Sequence, residues 1–405
     1  MKWPQKKLGQ VADFLLGKML DEKKNKGEFR PYLANVNVRW GSFELGSLRE
    51  MRFELHEHER YGLQFGDIVM CEGGEPGRCA IWKNQVPGMM FQKALHRIRP
   101  KAEMDVRFLY YSFLNRGKNG GFDQYCTGST IKHLPRQNLA MVEVDVPPLT
   151  IQKQIASILS AYDDLIENNT RRIEILEETA RRLYEEWFVQ FRFPGHEGVE
   201  FKDSELGLIP EGWVVSCLGD IAEEIREAVH PSSVSPDTPY IGLEHLPRRS
   251  ITLREWGSAD SVSSGKLLFR RGDVLFGKIR PYFHKVVIAP FSGICSSDTI
   301  LIRPKKDTFL GVVLCCSSSD KFVDYATQTS NGTKMPRADW KVLKNYPVLI
   351  PSGELLSDFN GLVLGLVNQA RNLMLKNVNL RAQRDLLLPK LISGEIDVSD
   401  IPMPT

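Results

Sequence analysis

IQKQIASILSAYDDLIENNTRRIEILEETARRLYEEWFVQ, residues 151–190, holds neither Pro nor Gly and follows closely on the pair Pro147-Pro148. Its apolar residues fall on two interleaved rows with the 4/3 alternation of a coiled-coil seam. One row is Leu159, Ile166, Ile173, Ala180 and Trp187; the other is Ile155, Tyr162, Asn169, Leu176 and Leu183. This predicts one long amphipathic helix, roughly 60 Å from end to end at about 1.5 Å per residue. An apolar stripe of that length must be covered, so the helix needs a partner.

The partner lies near the C-terminus. Leu356, Phe359, Val363, Leu366, Ala370, Leu373, Asn377, Leu380, Arg384 and Leu387 keep the same spacing, and Pro389 is expected to end the run. Asn169 and Asn377 each place one polar residue in a seam, the arrangement that fixes register in paired helices. The first helix carries the chain out and the second must bring it back, so antiparallel pairing is expected. The two helices divide the sequence into four segments: 1–149, a first helix 150–192, a connector and second domain 193–351, and a second helix with a tail 352–405.

Length and composition bound the rest. A chain of 405 residues has room for two or three domains, and 42% hydrophobic with 25% charged residues is ordinary for a globular protein. No apolar run approaches the ~20 residues of a membrane span, and the start MKWPQKKLGQ lacks the apolar core of a signal peptide. A cytoplasmic location without membrane contact is expected. Seven cysteines without CxxC or Cys/His ligand spacing suggest neither a disulfide framework nor a zinc site. The net charge of +3 permits nucleic-acid binding without requiring it.

The two domains repeat one another. Trp3 and Leu8-Gly9 are answered by Trp213 and Leu218-Gly219, Gly66-Asp67-Ile68-Val69 by Gly272-Asp273-Val274-Leu275, and Pro135-Arg136 by Pro336-Arg337. The separations drift as loop lengths would make them drift. With a long helix after each, the order implies a duplication of about 205 residues. Short strands are predicted within RPYLANVNVRWG, GDIVMC and MVEVDVPP, a helix over VRFLYYSFLN, and a polar connector over FPGHEGVEFKDSELGLIPEG.

No stretch carries catalytic spacing. EGGEPG (72–77) is neither a dinucleotide fingerprint nor a phosphate loop, Asp13 with Glu22-Lys23-Lys24 is a weak nuclease pattern, and His56 and His58 lack metal-ligand partners. What remains are basic, polar, Gly-containing loops suited to nucleic acid. In the first domain these offer Lys18, Lys23, Lys24, Arg30, Asn35, Asn37, Arg39, Trp40, Arg78, Lys118, Asn119, Thr127, Ser129, Thr130, Lys132 and His133. In the second they offer Lys278, Arg280, Tyr282, His284, Ser330, Asn331, Thr333, Lys334 and Arg337. Arg and Lys suit phosphate or guanine, Asn suits adenine, and small hydroxyl residues let the backbone approach.

With repeat and helices in place, the sequence resembles the specificity subunit of type I restriction-modification systems. The likeness is carried by PPLTIQKQIASIL (147–159), ARRLYEEWFVQFRFPGHE (180–197), LGLIPEGWVVSCLGDIA (206–222), GDVLFGKIRPY (272–282) and RDLLLPKLISGEID (384–397). The resemblance implies an α+β fold: two similar mixed α/β target recognition domains separated by two long antiparallel coiled-coil helices, a pseudo-two-fold internal repeat. It implies that the chain binds double-stranded DNA and docks two methyltransferase subunits and restriction subunits. S-adenosylmethionine, ATP and Mg2+ would belong to those partners, leaving this chain without cofactor, metal or catalytic residues. Two other readings remain open from the residues alone: the recognition portion of a self-contained methyltransferase or restriction enzyme, and a coiled-coil interaction adaptor.

Overall fold

A computed structural model describes residues 3–19, 21 and 25–401. Two helices dominate it. The first runs Leu149–Tyr184 and passes into a single π-helical turn, Glu185–Val189; the second runs Gly353–Ile392. The π turn inserts one extra residue per turn, at the point where Trp187 and Phe188 enter the core, and Phe191 then leaves the helix with φ 57°.

Pro389 lies inside the second helix and does not end it. Proline removes one N–H and crowds the preceding turn, but the following turn survives. Leu388, Leu391 and Ile392 around it are buried, and the helix stops at Ile392, just before Gly394 with φ 72°.

The chain forms two compact units, one running to Leu165 and resuming at Leu380, the other Ile166–Asn379, so each unit takes a piece of both long helices. In the second unit Asn169 Nδ2 donates to Asn377 Oδ1 at 2.9 Å, Ile173 packs with Ala370 and Leu373, and Phe188 meets Phe359 at 4.7 Å. Numbers rise on one helix as they fall on the other, which is antiparallel pairing. In the first unit Ile155 and Leu159 share a core with Leu388, Leu391 and Ile392, and Arg384 pairs with Asp163.

Of the seam positions read from the sequence, Ile155, Leu159, Ile166, Asn169, Ile173, Phe359, Val363, Leu373 and Asn377 are buried, while Tyr162, Leu176, Leu183, Leu366, Leu380 and Leu387 are only half-buried. On the second helix burial moves from Leu366 and Leu387 to Val367 and Leu388, and takes in Met374 beside Leu373. A 3.6-residue helix slides about 20° per heptad against a strict 3.5 repeat, and the buried stripe follows the helix.

In the first unit strands β1 (Ala12–Leu16), β2 (Ile68–Cys71), β3 (Cys79–Ile81) and β4 (Leu95–Pro100) form an antiparallel sheet in the order β1-β4-β2-β3. In the second, β5 (Ala222–Glu224), β6 (Val274–Gly277), β7 (Val286–Ile288) and β8 (Thr299–Pro304) repeat it in the order β5-β8-β6-β7. Each unit also carries a parallel strand pair outside this sheet, Leu33 with Phe91 and Ile241 with Cys295.

The same ion pair, a buried carboxylate with a partly exposed arginine, recurs in both halves. Arg99 Nε donates to Asp67 Oδ1 at 2.6 Å, and Arg303 Nε donates to Asp273 Oδ1 at 2.7 Å. Each carboxylate also accepts a turn N–H three residues upstream, from Gln64 and Arg270, both at 2.7 Å. The connector is more ordered than its composition suggests, since Phe201–Ser204 and Gly207–Pro210 pair as a hairpin. Trp187, Phe188 and Phe193 at the exit of the first helix pack with Trp213 and Phe359 in the second unit's core.

Candidate nucleic-acid interface

A closed loop follows the same framework in each half. Thr127 and His133 exchange both backbone hydrogen bonds, at 2.8 and 2.9 Å, around Gly128-Ser-Thr-Ile-Lys132. Asn331 and Arg337 do the same, at 3.0 and 2.8 Å, around Gly332-Thr-Lys-Met-Pro336. Gly128 and Gly332 both take the left-handed conformation, φ 90° and 94°, which an L side chain rarely adopts. Beyond each loop the next N–H returns to the sheet: Leu134 N donates to Glu72 O at 2.7 Å, and Ala338 N to Lys278 O at 3.0 Å.

This pairing corrects the sequence alignment. His133 corresponds to Arg337, and the partner of Pro135-Arg136 is Asp339-Trp340, where a short helix starts in each half. The proline of Pro336-Arg337 lies within its loop, so matching Pro to Pro was off by three residues.

The loops and their neighbours gather part of the sequence-derived set. In the first half Thr127, Ser129, Thr130, Lys132 and His133 are exposed. Lys132 pairs with Asp123 at 2.8 Å and His133 with Glu72 at 3.0 Å. The Asp123 hydrogen bond raises the Lys132 pKa, so its ammonium is present throughout the neutral range. Alongside, Arg78 donates to Glu75 at 2.6 Å and to Asn35 O at 3.0 Å, and Trp40 Nε1 donates to Glu75 at 2.8 Å while its ring lies against Gly117. Asn119, exposed at the end of the 106–118 helix, bonds back to Asn115 O.

In the second half Asn331, Thr333, Lys334 and Arg337 are exposed and Ser330 half-buried. Ile279 bridges Arg337, and Arg280 N donates to Pro336 O at 2.8 Å, so half-buried Lys278 and Arg280 join the loop, with exposed Tyr282 beyond. Arg280 holds φ 52°, a left-handed backbone of the kind found where position matters more than comfort.

Other positions are placed elsewhere. Lys18 is 4% exposed, paired with Glu57, bonded to Arg52 O and set over the Phe53 ring. Asn37, 5% exposed, donates to Glu44 O and accepts from Ala34 N, closing a turn. His284, 8% exposed, hydrogen-bonds Ser318 O at 2.8 Å, and burial pushes its pKa down, so the ring stays neutral and turned inward. Lys118 pairs with Asp385, Arg39 with Glu44 at 3.1 Å, and Arg30 with Glu28 at 2.9 Å. Lys23 and Lys24 lie outside the described residues.

The sequence reading missed Glu72 and Glu75, because cations and neutral polar side chains were sought and carboxylates were not. It also missed His96, whose Nε2 lies 2.8 Å from Leu134 O behind the first loop; burial lowers its pKa, so a neutral ring donates Nε2–H to that carbonyl. Among the described residues no group of three or more His, Cys, Asp or Glu is placed to hold a metal ion. No described helix is long and apolar enough to cross a membrane.

The model of the type I restriction modification DNA specificity domain matches residues 1–178 and 210–354, most of the chain and both halves. The chain belongs to this family. Its members among curated proteins include the type I restriction enzyme MjaIX specificity subunit of Methanocaldococcus jannaschii, 27% identical over 83% of this chain and 79% of that protein. Another is the EcoDI specificity subunit of Escherichia coli, 28% identical over 61% of this chain and 59% of that protein. The S subunit of a type I restriction-modification system from M. genitalium, known as a crystal structure, superposes with a TM-score of 0.56 at 15% identity, covering 96% of each chain. At that identity the likeness is one of fold, and the family's fold is the duplicated α+β arrangement described above.

Proposed function

We propose that this chain is the DNA-reading subunit of a type I restriction-modification complex. Residues 1–149 and 193–351 act as its two target recognition domains, each taking one part of a bipartite site. The helical segments 150–192 and 352–405 set the unspecified gap. The subunit is non-catalytic. Methylation and cleavage, with S-adenosylmethionine, ATP and Mg2+, belong to two methyltransferase subunits and to restriction subunits docked on it, in the cytoplasm.

The observation that carries this reading is one backbone framework closed twice over unlike side chains. Glu72 and Lys278 stand at the same point, each lending its carbonyl to the residue after the loop. One half thus offers a carboxylate where the other offers an ammonium. A carboxylate suits the cytosine amino group and an ammonium suits guanine O6 and N7. Heads of opposite character on one scaffold favour an asymmetric site.

Mapping methylated bases genome-wide in cells that express the chain with its methyltransferase tests this. The expected product is one non-palindromic sequence in two parts with a fixed gap. A continuous or palindromic motif, or methylation unchanged when the chain is omitted, would refute it.

A further inference from the structure

The two closed loops differ in nearly every side chain but share one property. The fourth residue of each tip is a large apolar side chain open to solvent: Ile131 is 62% exposed and Met335 48%. The bridges at the loop bases make these positions equivalent. A lone exposed apolar residue is ordinary on a protein surface. Here it recurs at the same point of two divergent loops, among polar neighbours, and packs into the core of neither half.

Side chains that read different half-sites must differ, so a property kept by both halves serves what both half-sites share. Any two stretches of duplex share phosphates and the apolar faces of stacked bases. The cations beside the tips suit the first: Lys132 in one loop, Lys334 and Arg337 in the other. The apolar tips suit the second, since Ile and Met are among the wedges that part base steps and kink a duplex. Closure of each loop by paired backbone bonds fixes where the tip stands.

We propose that Ile131 and Met335 are wedges that enter the base stack of double-stranded DNA, one in each half-site. The proposal rests on the DNA-reading function stated above. The halves should not enter alike. Lys132 must exchange Asp123 for phosphate, whereas Lys334 and Arg337 form no ion pair among the described residues. The second wedge is therefore free to seat without breaking an ion pair.

The test uses the full chain with its methyltransferase on a duplex bearing the mapped site, probing thymines with permanganate and purines with diethyl pyrocarbonate. Wild type should expose one unstacked step in each half-site, apart from the methylated base pair. Ile131→Ala should abolish the first step and weaken binding about tenfold, the scale of losing part of one buried aliphatic side chain, without changing the salt dependence. Met335→Ala should do the same in the second half-site, and Ile131→Leu should keep the first step. Wild type that methylates its site with no such step, or steps that survive both alanine variants, would overturn the wedges and leave DNA reading intact. Wild type that binds no duplex would overturn both.

Discussion

Asn169 and Asn377 are the clearest case of a residue whose role depends on its partner. Each is buried, and Asn377 Nδ2 also reaches Thr170 Oγ1 at 3.3 Å. Replacing Asn169 by Leu leaves Asn377 Oδ1 without its donor, and replacing Asn377 by Leu leaves Asn169 Nδ2 without its acceptor; a buried unsatisfied polar group costs about 1–3 kcal/mol. Replacing both removes the need on each side. Thermal unfolding should show Asn169→Leu and Asn377→Leu each lowering Tm, and the double variant recovering most of the loss. If the double variant loses the sum of the singles, the pair is not the unit of stability. Glu177 makes a second case. Its carboxylate accepts from Ser250 Oγ, Ile251 N and Thr252 N, yet burial outweighs these and raises its pKa. For an acid with a raised folded pKa the charged form disfavours the fold. That cost is absent below the unfolded value near 4.3 and full once pH exceeds the folded value. Glu177→Gln should therefore match wild type in Tm at low pH and gain on it as pH rises towards neutrality. A gap that is constant with pH would reject the argument. Such roles are partly legible in sequence: a polar residue on an apolar heptad announces the Asn pair, whereas nothing local to Lys18 or His284 says that the fold turns those side chains inward.

At the level of elements, periodicity and repetition gave away the most. The long helices, the duplicated sheet and the strand GDIVMC stand out because each obeys a simple spacing rule over many residues. Boundaries were less legible where tertiary packing overrules a local signal. Pro389 reads as a terminator, but buried neighbours on both sides hold the turn through it. The hairpin 201–210 hides in a polar stretch because its strands, FKDS and GLIP, lack the apolar alternation of a half-buried strand. The loop correspondence was misjudged because proline is visible in a sequence and a backbone bridge is not. The repeat itself supports a prediction. Asp67 and Asp273 hold Arg99 and Arg303 in equivalent places, and each buried carboxylate also satisfies a turn N–H, so its removal costs about 1–3 kcal/mol, the scale of leaving a partly buried polar group without its partner. Asp67→Ala and Asp273→Ala should each lower the midpoint of chemical unfolding by a comparable amount. Loss in only one half would mean that the two sheets are not energetic equivalents.

For the whole molecule the question is what the long helices measure. If the proposed function holds, the gap between the two half-sites is set by helix length. The chain passes from one compact unit to the other between Leu165 and Ile166 and returns between Asn379 and Leu380. Those crossings lie between the Asp163–Arg384 and Asn169–Asn377 pairs. Seven residues inserted at both crossings add two turns to each helix and leave both pairs and both seams in phase. The added rise is about 10 Å at 1.5 Å per residue, the length of about three base pairs at the duplex spacing of about 3.4 Å. The insertion variant, expressed with its methyltransferase, should therefore methylate a sequence with the same two half-sites and a gap about three base pairs longer, as read by mapping modified bases. Insertion into one helix alone leaves the Asp163–Arg384 and Asn169–Asn377 pairs unable to form together and should abolish methylation. An unchanged gap in the double insertion would mean that the helices join the two units without setting the distance at which they read.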